Sequence, residues 1–530
     1  MDIKNFRGYV RPFVGAVVLM LAASMQQNAL ALDPIKIGDV DIGMITGYLR
    51  EHAQWNLQDR PDLQTPGGKP IDGQGEMSML RTTLQVQYVN PFLPNDMVFT
   101  FIGRLVKESR TTYLKKLDAM PKQTGDLMDY YNTNREAIRE AYLDIPFSED
   151  VKLRFGKQQV VWGETDQLQA LDIVNGRDLS WRGSSEPENE DWRIPTIMAN
   201  LNIAYRPWNG SMQLLYRPGW DREDTVGSKL DLFGGRNAGQ GSRGSNSLVN
   251  IGYNYHHPEG DADDPSYGFR WTGVAGESNI GYSLAYYHTL RTTPVLNVSA
   301  PGITPYKGSI GSQAGVLIPG VAKGEFILPA IDYIGGSLNA YVEPLDLAFR
   351  SELVYTPGMP YNANSATFGA ALPTIKEKNT ARFMVGFDKS LRLMNSLGTD
   401  SASTWTVQVF DSWITGFDAS DKLLDTGITH LKAHSVVVVT TLGLSYALNQ
   451  IQPGISVVLD TSNGGGSIGP NVSFLYGDHW RLRLDSTFYF PGILGGCSTD
   501  PVTKSGANCT HGFGTQDNNN FVSARLTYQF

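Results

Sequence analysis

Val522-Ser523-Ala524-Arg525-Leu526-Thr527-Tyr528-Gln529-Phe530 decides the fold. Its even-numbered residues are apolar or aromatic, and the residues between them are polar or charged. Successive side chains of an extended strand point to opposite faces, so this segment presents one face suited to lipid and one suited to water. The preceding segment repeats the design: Trp480, Leu482, Leu484, Phe488 and Phe490 oppose Arg481, Arg483, Asp485 and Thr487, with Ser486 the single break on the apolar side.

The same period of two recurs upstream. Ala381, Phe383, Val385 and Phe387 alternate with Arg382, Met384, Gly386 and Asp388; Leu345, Leu347 and Phe349 alternate with Asp346, Ala348 and Arg350; Leu84, Val86 and Tyr88 oppose Thr83, Gln85 and Gln87. Eight short connections, such as Glu343 to Asp346 and Gly477 to His479, alternate with nine longer ones. The longer set includes Lys107 to Arg135, Gly163 to Arg193, Pro218 to Pro265, Pro357 to Lys378 and Pro491 to Asn518. The fold class expected is all-β, a transmembrane antiparallel β-barrel of about eighteen strands, within a range of sixteen to twenty. Short periplasmic turns would lie at one end, with both termini, and long external loops at the other. Leu248 to His256 reads as a strand that would spoil this parity and is assigned to the fourth external loop. Gly125 to Glu140 is read as holding a short helix within the second.

The beginning of the chain fits export. Lys4, Arg7 and Arg11 precede an apolar stretch from Phe13 to Met25, and Ala29-Leu30-Ala31 supplies small residues for cleavage, the three-part layout of a secretory signal. The expected organisation is a signal peptide over 1–31 and a single barrel domain over 32–530, placed in the bacterial outer membrane after cleavage near Ala31. Beyond that leader no stretch approaches the ~20 apolar residues a membrane-spanning helix needs. A hydrophobic content of 41% with 56 Gly, 24 Tyr and 22 Phe suits strands that are apolar on one face only. The net charge of -9 makes nucleic acid a poor partner. Cys497 and Cys509 lie in a Gly-rich polar segment, and in an oxidising compartment a local disulfide is expected between them.

Parity assigns a basic inner face: Arg154, Arg206, Arg217, Arg350, Arg382, Arg392, Arg481, Arg483 and Arg525, with Asp346, Glu352, Asp388 and Asp485 on the same side. Such a ladder favours an anionic solute or the carboxylate end of an amphiphile. Its competing role is structural, tying acids of the loops to the wall. The third long connection is the natural partner. It carries Trp162 at a strand exit and then Glu164, Asp166, Asp172 and Asp178, and is expected to fold into the lumen and constrict it; the alternative leaves Trp162 at the membrane interface and the acids in water.

Several motifs lack the context their chemistry needs. Gly465-Gly466-Ser467-Ile468-Gly469 matches the serine-hydrolase elbow without the strand, turn and helix that expose the nucleophile. Gly239-Gln240-Gly241-Ser242-Arg243-Gly244 lies in a polar loop without a following helix to hold phosphate. His430 and His434 have a metal-binding spacing only on a helix. Glu186, Glu188, Glu190 and Asp191 read as a solvated acidic run, with calcium a weaker alternative. No catalytic set, metal site or cofactor is assigned.

The run Leu153-Arg154-Phe155-Gly156-Lys157-Gln158-Gln159-Val160-Val161-Trp162-Gly163-Glu164 resembles a motif of a large family of uncharacterised proteobacterial outer-membrane proteins. In that family a glycine, a basic residue and a glutamine lead to Trp-Gly-Glu, followed by Asp and then Asn-Pro-Asp-Leu. Here the continuation is Asp172-Ile173-Val174-Asn175-Gly176-Arg177-Asp178-Leu179, in which Gly176-Arg177 departs from the usual Asn-Pro turn and Lys157 replaces the more usual arginine. The motif covers about 27 residues, and the order of strands and loops is similar over most of the chain. The resemblance implies an outer-membrane barrel concerned with passage of hydrophobic compounds or envelope lipids, and brings no reaction or ligand.

Together these readings lead to the expectation of an outer-membrane channel or transporter for a small anionic or amphipathic solute. Outer-membrane lipids, the solute and a periplasmic or envelope transport component are its expected partners. A scaffold or adhesin acting through the external loops is the alternative, and a membrane-embedded lipid hydrolase a more distant one.

Overall fold

A computed structural model of the chain describes residues 35–37, 40–64, 70–119, 128, 131–132, 137–166, 168–182, 189–221, 227–229, 236–237, 252–254, 262–276, 279–299, 304–308, 323–364, 373–425, 429–490, 516 and 518–530. The leader, Cys497, Cys509 and Gly239–Gly244 lie outside the described residues, as does the acidic run apart from Glu190 and Asp191.

Besides the short strands Ile35–Ile37, Leu423–Asp425 and Thr429–His430 that extend it, the closed sheet is formed by eighteen antiparallel strands. They are β1 (Val40–Asn56), β2 (Met77–Asn90), β3 (Val98–Glu108), β4 (Ile138–Pro146), β5 (Val151–Gln158) and β6 (Thr196–Tyr205). Next come β7 (Gly210–Arg217), β8 (Ser266–Ala275), β9 (Ile280–Leu290), β10 (Ala330–Val342), β11 (Leu347–Asn364) and β12 (Pro373–Leu391). The last six are β13 (Ser403–Ile414), β14 (His434–Gly443), β15 (Ile451–Asp460), β16 (Gly465–Tyr476), β17 (Trp480–Phe490) and β18 (Phe521–Gln529). Each pairs with its neighbours in sequence, and β18 closes the ring on β1 from Tyr48↔Gln529 to Asn56↔Phe521. Closure leaves no unpaired edge, the condition a sheet must meet to stand in hydrocarbon.

The alternation read from the sequence sorts the two faces. Leu49, Leu353, Phe383, Phe387 and Leu484 are each more than a third exposed on the outside, whereas Arg50, Glu352, Met384 and Asp485, next to them in the chain, are buried. Aromatic rings gather at both ends of the outer wall. Tyr205, Trp208 and Trp271 form one group at the short-turn end, with centroid distances of 5.2, 5.9 and 6.4 Å, and Trp480 lies 4.9 Å from Tyr528 there. At the other end Trp220 meets Phe155 at 6.3 Å, and Trp413 is exposed. Amphipathic rings bordering an apolar band on both sides are what the headgroup layers select.

Seven of the eight short connections fall where the sequence places them; the other, expected over Asn449–Gly454, lies earlier, at 444–450, and Ile451–Gly454 opens β15. Among the long ones, the sixth differs from expectation. Pro357–Lys378 reads as a loop in the sequence, but β11 and β12 run through most of it and pair from Met359↔Lys378 to Asn364↔Pro373 beyond a bulge. Backbone hydrogen bonds continue past the outer apolar band, where the outward face has no reason to stay apolar, so the period-two signal fades while the strand persists. In the second loop one helix is Thr112–Asp118, capped by the Thr111 side chain accepting from the Leu114 N–H; within Gly125–Glu140, where a short helix is expected, Met128 and Tyr131 are helical and the Asn132 N–H donates to the Met128 carbonyl at 2.9 Å, while Ile138–Glu140 opens β4. Residues Gly252–Asn254 stay out of the barrel: they pair in parallel with Lys323–Glu325 in a small separate sheet completed by Val295–Ser299. Asp346 is not on the wall; it ends the turn before β11 in a left-handed conformation and accepts from the Tyr341 hydroxyl at 2.6 Å.

Candidate functional site

The third long connection, 159–195, leaves β5 and returns as β6. Its described residues are mostly buried, and Val160, Trp162, Leu171, Ile173 and Val174 join an apolar cluster with Met198, Leu215, Tyr287, Tyr333 and Val354 of β6, β7, β9, β10 and β11. A second cluster places Leu168 and Ala170 against Met384, Phe410, Val437, Val439 and Val458 of β12 to β15. This contact explains why Val436-Val437-Val438-Val439 breaks the alternation: this stretch of β14 is apolar on both faces because its inner face has a partner of its own.

Two glycines permit the approach. A Cβ on Gly163 would lie 2.9 Å from the Asp172 backbone nitrogen, and one on Gly176 only 1.9 Å from the Gly227 carbonyl oxygen. The turn that departs from Asn-Pro therefore carries glycine because backbone from the fourth loop packs directly on it. Asn175 braces the same turn, accepting from the Val160 N–H at 2.8 Å and donating to the Ile194 carbonyl at 2.9 Å.

Polar anchors join this connection to opposite stretches of the wall. Glu352 on β11 accepts backbone N–H groups of both Glu164 and Leu171, the latter at 2.6 Å. Arg350 donates to the Glu164 carbonyl at 2.5 Å, to Asp166 at 3.0 Å and to Asp388 at 2.8 Å. Gln408 on β13 donates to Asp166 at 3.0 Å and accepts its N–H at 3.3 Å. Across the ring, Arg182 pairs with Asp485 of β17 and lies 3.2 Å from His52 Nε2 of β1. Asp191 takes Arg50 of β1 at 2.6 Å and Arg104 of β3 at 2.5 Å.

The predicted acids thus have three kinds of partner. Asp166 meets Arg350 of the wall at 3.0 Å. Asp172 is instead the hub of the connection itself, accepting from Arg177 at 3.0 Å and Arg193 at 2.8 Å, and Asp178 accepts from its own neighbour Ser180 and lies 4.0 Å from Lys229. Trp162 is not at the membrane interface: it is fully buried, donates from Nε1 to Gln213 at 2.7 Å and meets the Tyr287 ring edge-on at 5.3 Å.

The predicted arginines divide likewise. Arg154 forms a two-point pair with Asp144 at 2.8 and 3.0 Å and stacks on Tyr142. Arg217 pairs with Asp221 at 2.9 Å. Arg483 stands opposite Arg525 across the β17–β18 ladder and lies 3.5 Å from Asp485; Arg481 and Arg382 occupy wall strands. Two do not belong to the wall. Arg206 opens the turn after β6 and pairs in the open with Asp150 and Glu149 of the adjoining turn, and Arg392 is exposed just beyond β12. Both follow the parity of their strand one residue past its end.

Sequence reasoning missed Arg50, Arg104 and Asp191. Asp191 looked like one of a solvated run, and its partners stand 141 and 87 residues away with nothing local to connect them. Burial of Asp191 opposes ionisation, but the charges of Arg104 and Arg50 outweigh it and hold the carboxyl well below the usual range. Arg236, from the fourth long connection, is also buried, donating to Glu108 at 2.6 Å and to the Trp181 carbonyl at 2.9 Å.

Ser467 lies within β16, paired with Val458 and Tyr489. His434 opens β14, stacks on Trp413 and lies 2.7 Å from Asp411.

These features define a closed eighteen-stranded antiparallel barrel with an apolar exterior and a charged inner face on which its third long connection is anchored. The chain belongs to the family described as a protein of unknown function (DUF1302), whose model matches residues 10–530. No curated protein matches it in sequence. Among solved structures it is similar to Salmonella typhi OmpF in complex with daunomycin, at 9% identity over 92% of this chain and 98% of that one, with a TM-score of 0.39. It is similar also to Pseudomonas aeruginosa OpdK with vanillate, at 8% identity over 92% and 97% and a TM-score of 0.40. A third, Acinetobacter baumannii OccAB1, shares 8% identity over 92% and 96%, with a TM-score of 0.42. These likenesses assign neither a solute nor a residue role to this chain.

Proposed function

We propose that the protein is an outer-membrane channel for small anionic or amphipathic solutes, narrowed by residues 163–193 and lined by wall arginines. The observation that carries this reading is the anchoring of one connection to opposite sides of the ring, at Arg50 and Arg104 on one side and at Arg350, Glu352 and Gln408 on the other. A segment spanning between such points divides the cross-section into narrower passages, beside which Arg350, Arg382, Arg481 and Arg483 would bias passage toward anions. Outer-membrane placement is supported by the apolar exterior and its two aromatic borders. Planar-bilayer recording with salts of unequal ion size, together with liposome swelling by neutral and anionic solutes, tests the reading. It predicts a small conductance with anion preference, whereas a protein that passes no ions would be a scaffold.

One observation favours lateral release of a hydrophobic solute as a second reading. Pairing of β16 with β17 passes from Ile468↔Phe488 to Asn471↔Asp485, skipping Gly469 and Pro470. Proline has no N–H to give the ladder, and the outward residue opposite it is Ser486, the one polar break in that strand's apolar face. A cross-link between cysteines at 469 and 487 would stop release of a hydrophobic solute into bilayers while sparing ion flow.

A further inference from the structure

Arg50 and Arg104 reach the same carboxylate from two strands, and each is also held by the wall itself. Arg50 Nε donates to Thr527 Oγ1 at 3.3 Å, and its guanidinium lies 4.3 Å from the centroid of the Tyr48 ring. Arg104 Nε donates to Gln85 Oε1 at 2.8 Å, the atom that also accepts from the Tyr48 hydroxyl at 3.3 Å. Tyr48, Gln85 and Thr527 belong to β1, β2 and β18, so the pair is oriented by the barrel and not by the loop.

Between the two guanidiniums sits Asp191, one oxygen to each: Oδ2 accepts from Arg50 at 2.6 Å and Oδ1 from Arg104 at 2.5 Å. All three side chains are at most 14% exposed. Charge-assisted bonds to a carboxylate in a dry setting are the strong kind, and fixed donors give up little rotamer freedom in making them.

We propose that Arg50 and Arg104 form a carboxylate-binding site of the pore that Asp191 occupies at rest, and that an organic carboxylate takes the site by displacing Asp191. This rests on the channel reading above and names its ligand class. The ligand must present one carboxylate to two guanidiniums, replacing the charge of Asp191 without adding to it. Displacement loosens the segment holding Asp191 at that residue, while Arg193 to Asp172 at 2.8 Å and the Arg139 bond to the Arg193 carbonyl at 2.7 Å still tie its far end. A tethered carboxylate competes at a high effective concentration, in the millimolar range or above. A free carboxylate therefore binds weakly until the tethered one is removed.

Calorimetric titration of the full-length protein in detergent, with benzoate as probe and benzamide as its uncharged control, tests this. Asp191→Asn is expected to tighten benzoate binding at least tenfold over the unaltered protein and to leave benzamide unchanged. Asp191→Glu is expected to behave like the unaltered protein, and adding Arg104→Gln to Asp191→Asn to abolish the gain. Equal benzoate affinity with and without Asp191, or a gain that survives Arg104→Gln, overturns the proposal. Should Asp191→Asn not fold, the unaltered protein carries the test: benzoate, and not benzamide, must increase proteolysis within 189–195, and no increase overturns the proposal. Bilayer conductance of the same preparations separates the two ideas. An ion-conducting protein without the benzoate gain overturns the site and leaves the channel, whereas a benzoate gain without ion flow supports the site and overturns the channel.

Discussion

Arg350 on β11 donates to Asp166 at 3.0 Å, joining residues 184 positions apart, and the same guanidinium reaches Asp388 at 2.8 Å. One wall arginine thus balances two acids, one from the loop and one from the wall. Asp166 is half exposed, so water screens the pair and its contribution to stability is at most about 1 kcal/mol. Asp166→Asn should leave thermal unfolding almost unchanged and raise the anion-to-cation permeability ratio, because Arg350 loses a neutralising charge. Reversal potentials in a salt gradient measure it; a shift toward cations would contradict the assignment.

Glu352 is the stronger anchor. It is buried and accepts two loop N–H groups, and hydrogen bonds to a charged acceptor contribute about 1.5–3 kcal/mol each. Glu352→Gln keeps the shape and removes the charge. Hydrogen exchange at Glu164 and Leu171 should accelerate by at least tenfold while exchange in β14 and β15 stays slow.

Gly176 tests packing without charge. Its missing Cβ leaves room for the Gly227 carbonyl, 1.9 Å from where that atom would sit. Gly176→Ala must push the fourth connection away from the third, and protease sensitivity near Gly227 should rise with the barrel's strand content unaltered by circular dichroism.

The pH response follows from Asp191. Burial raises its pKa, the charges of Arg104 and Arg50 lower it by more, and the net direction is down. The stabilisation is therefore complete at every pH above the ordinary aspartate value of about 3.9 and is lost only as pH falls through the lower folded value. The carboxyl-carbon chemical shift of Asp191, followed by NMR in detergent, should hold constant between pH 7 and about pH 4 on this account. A transition centred above about pH 5 would show that Asp191 is not held between arginines in the working protein.

The wall was legible in the sequence because lipid on one side and water on the other enforce a period of two, which any one strand shows by itself. Phe383 and Phe387, or Leu482 and Leu484, need no knowledge of the rest of the chain. The ends of strands were less legible: Arg206, Arg392 and Asp346 keep the parity of the strand beside them while sitting in turns. The interior was legible only in part. Trp162-Gly163-Glu164 marks the connection that is anchored inside the ring, and Asp166 pairs there with Arg350. Which acid meets which arginine depends on loop geometry that no periodicity encodes, and the pairing of Asp191 with Arg50 and Arg104 had no local sign at all. One signal was present and went unread: four consecutive valines, Val436 to Val439, mark a strand covered on both faces.

The most direct test of the central claim is single-channel conductance after deletion of residues 165–180, in a protein shown by circular dichroism and heat-dependent mobility to retain its barrel. Deletion removes the Asp166 and Leu171 anchors together with the apolar residues packed against β9 to β15. If the third connection narrows the pore, conductance rises severalfold; an unchanged conductance in the folded deletion protein would contradict it.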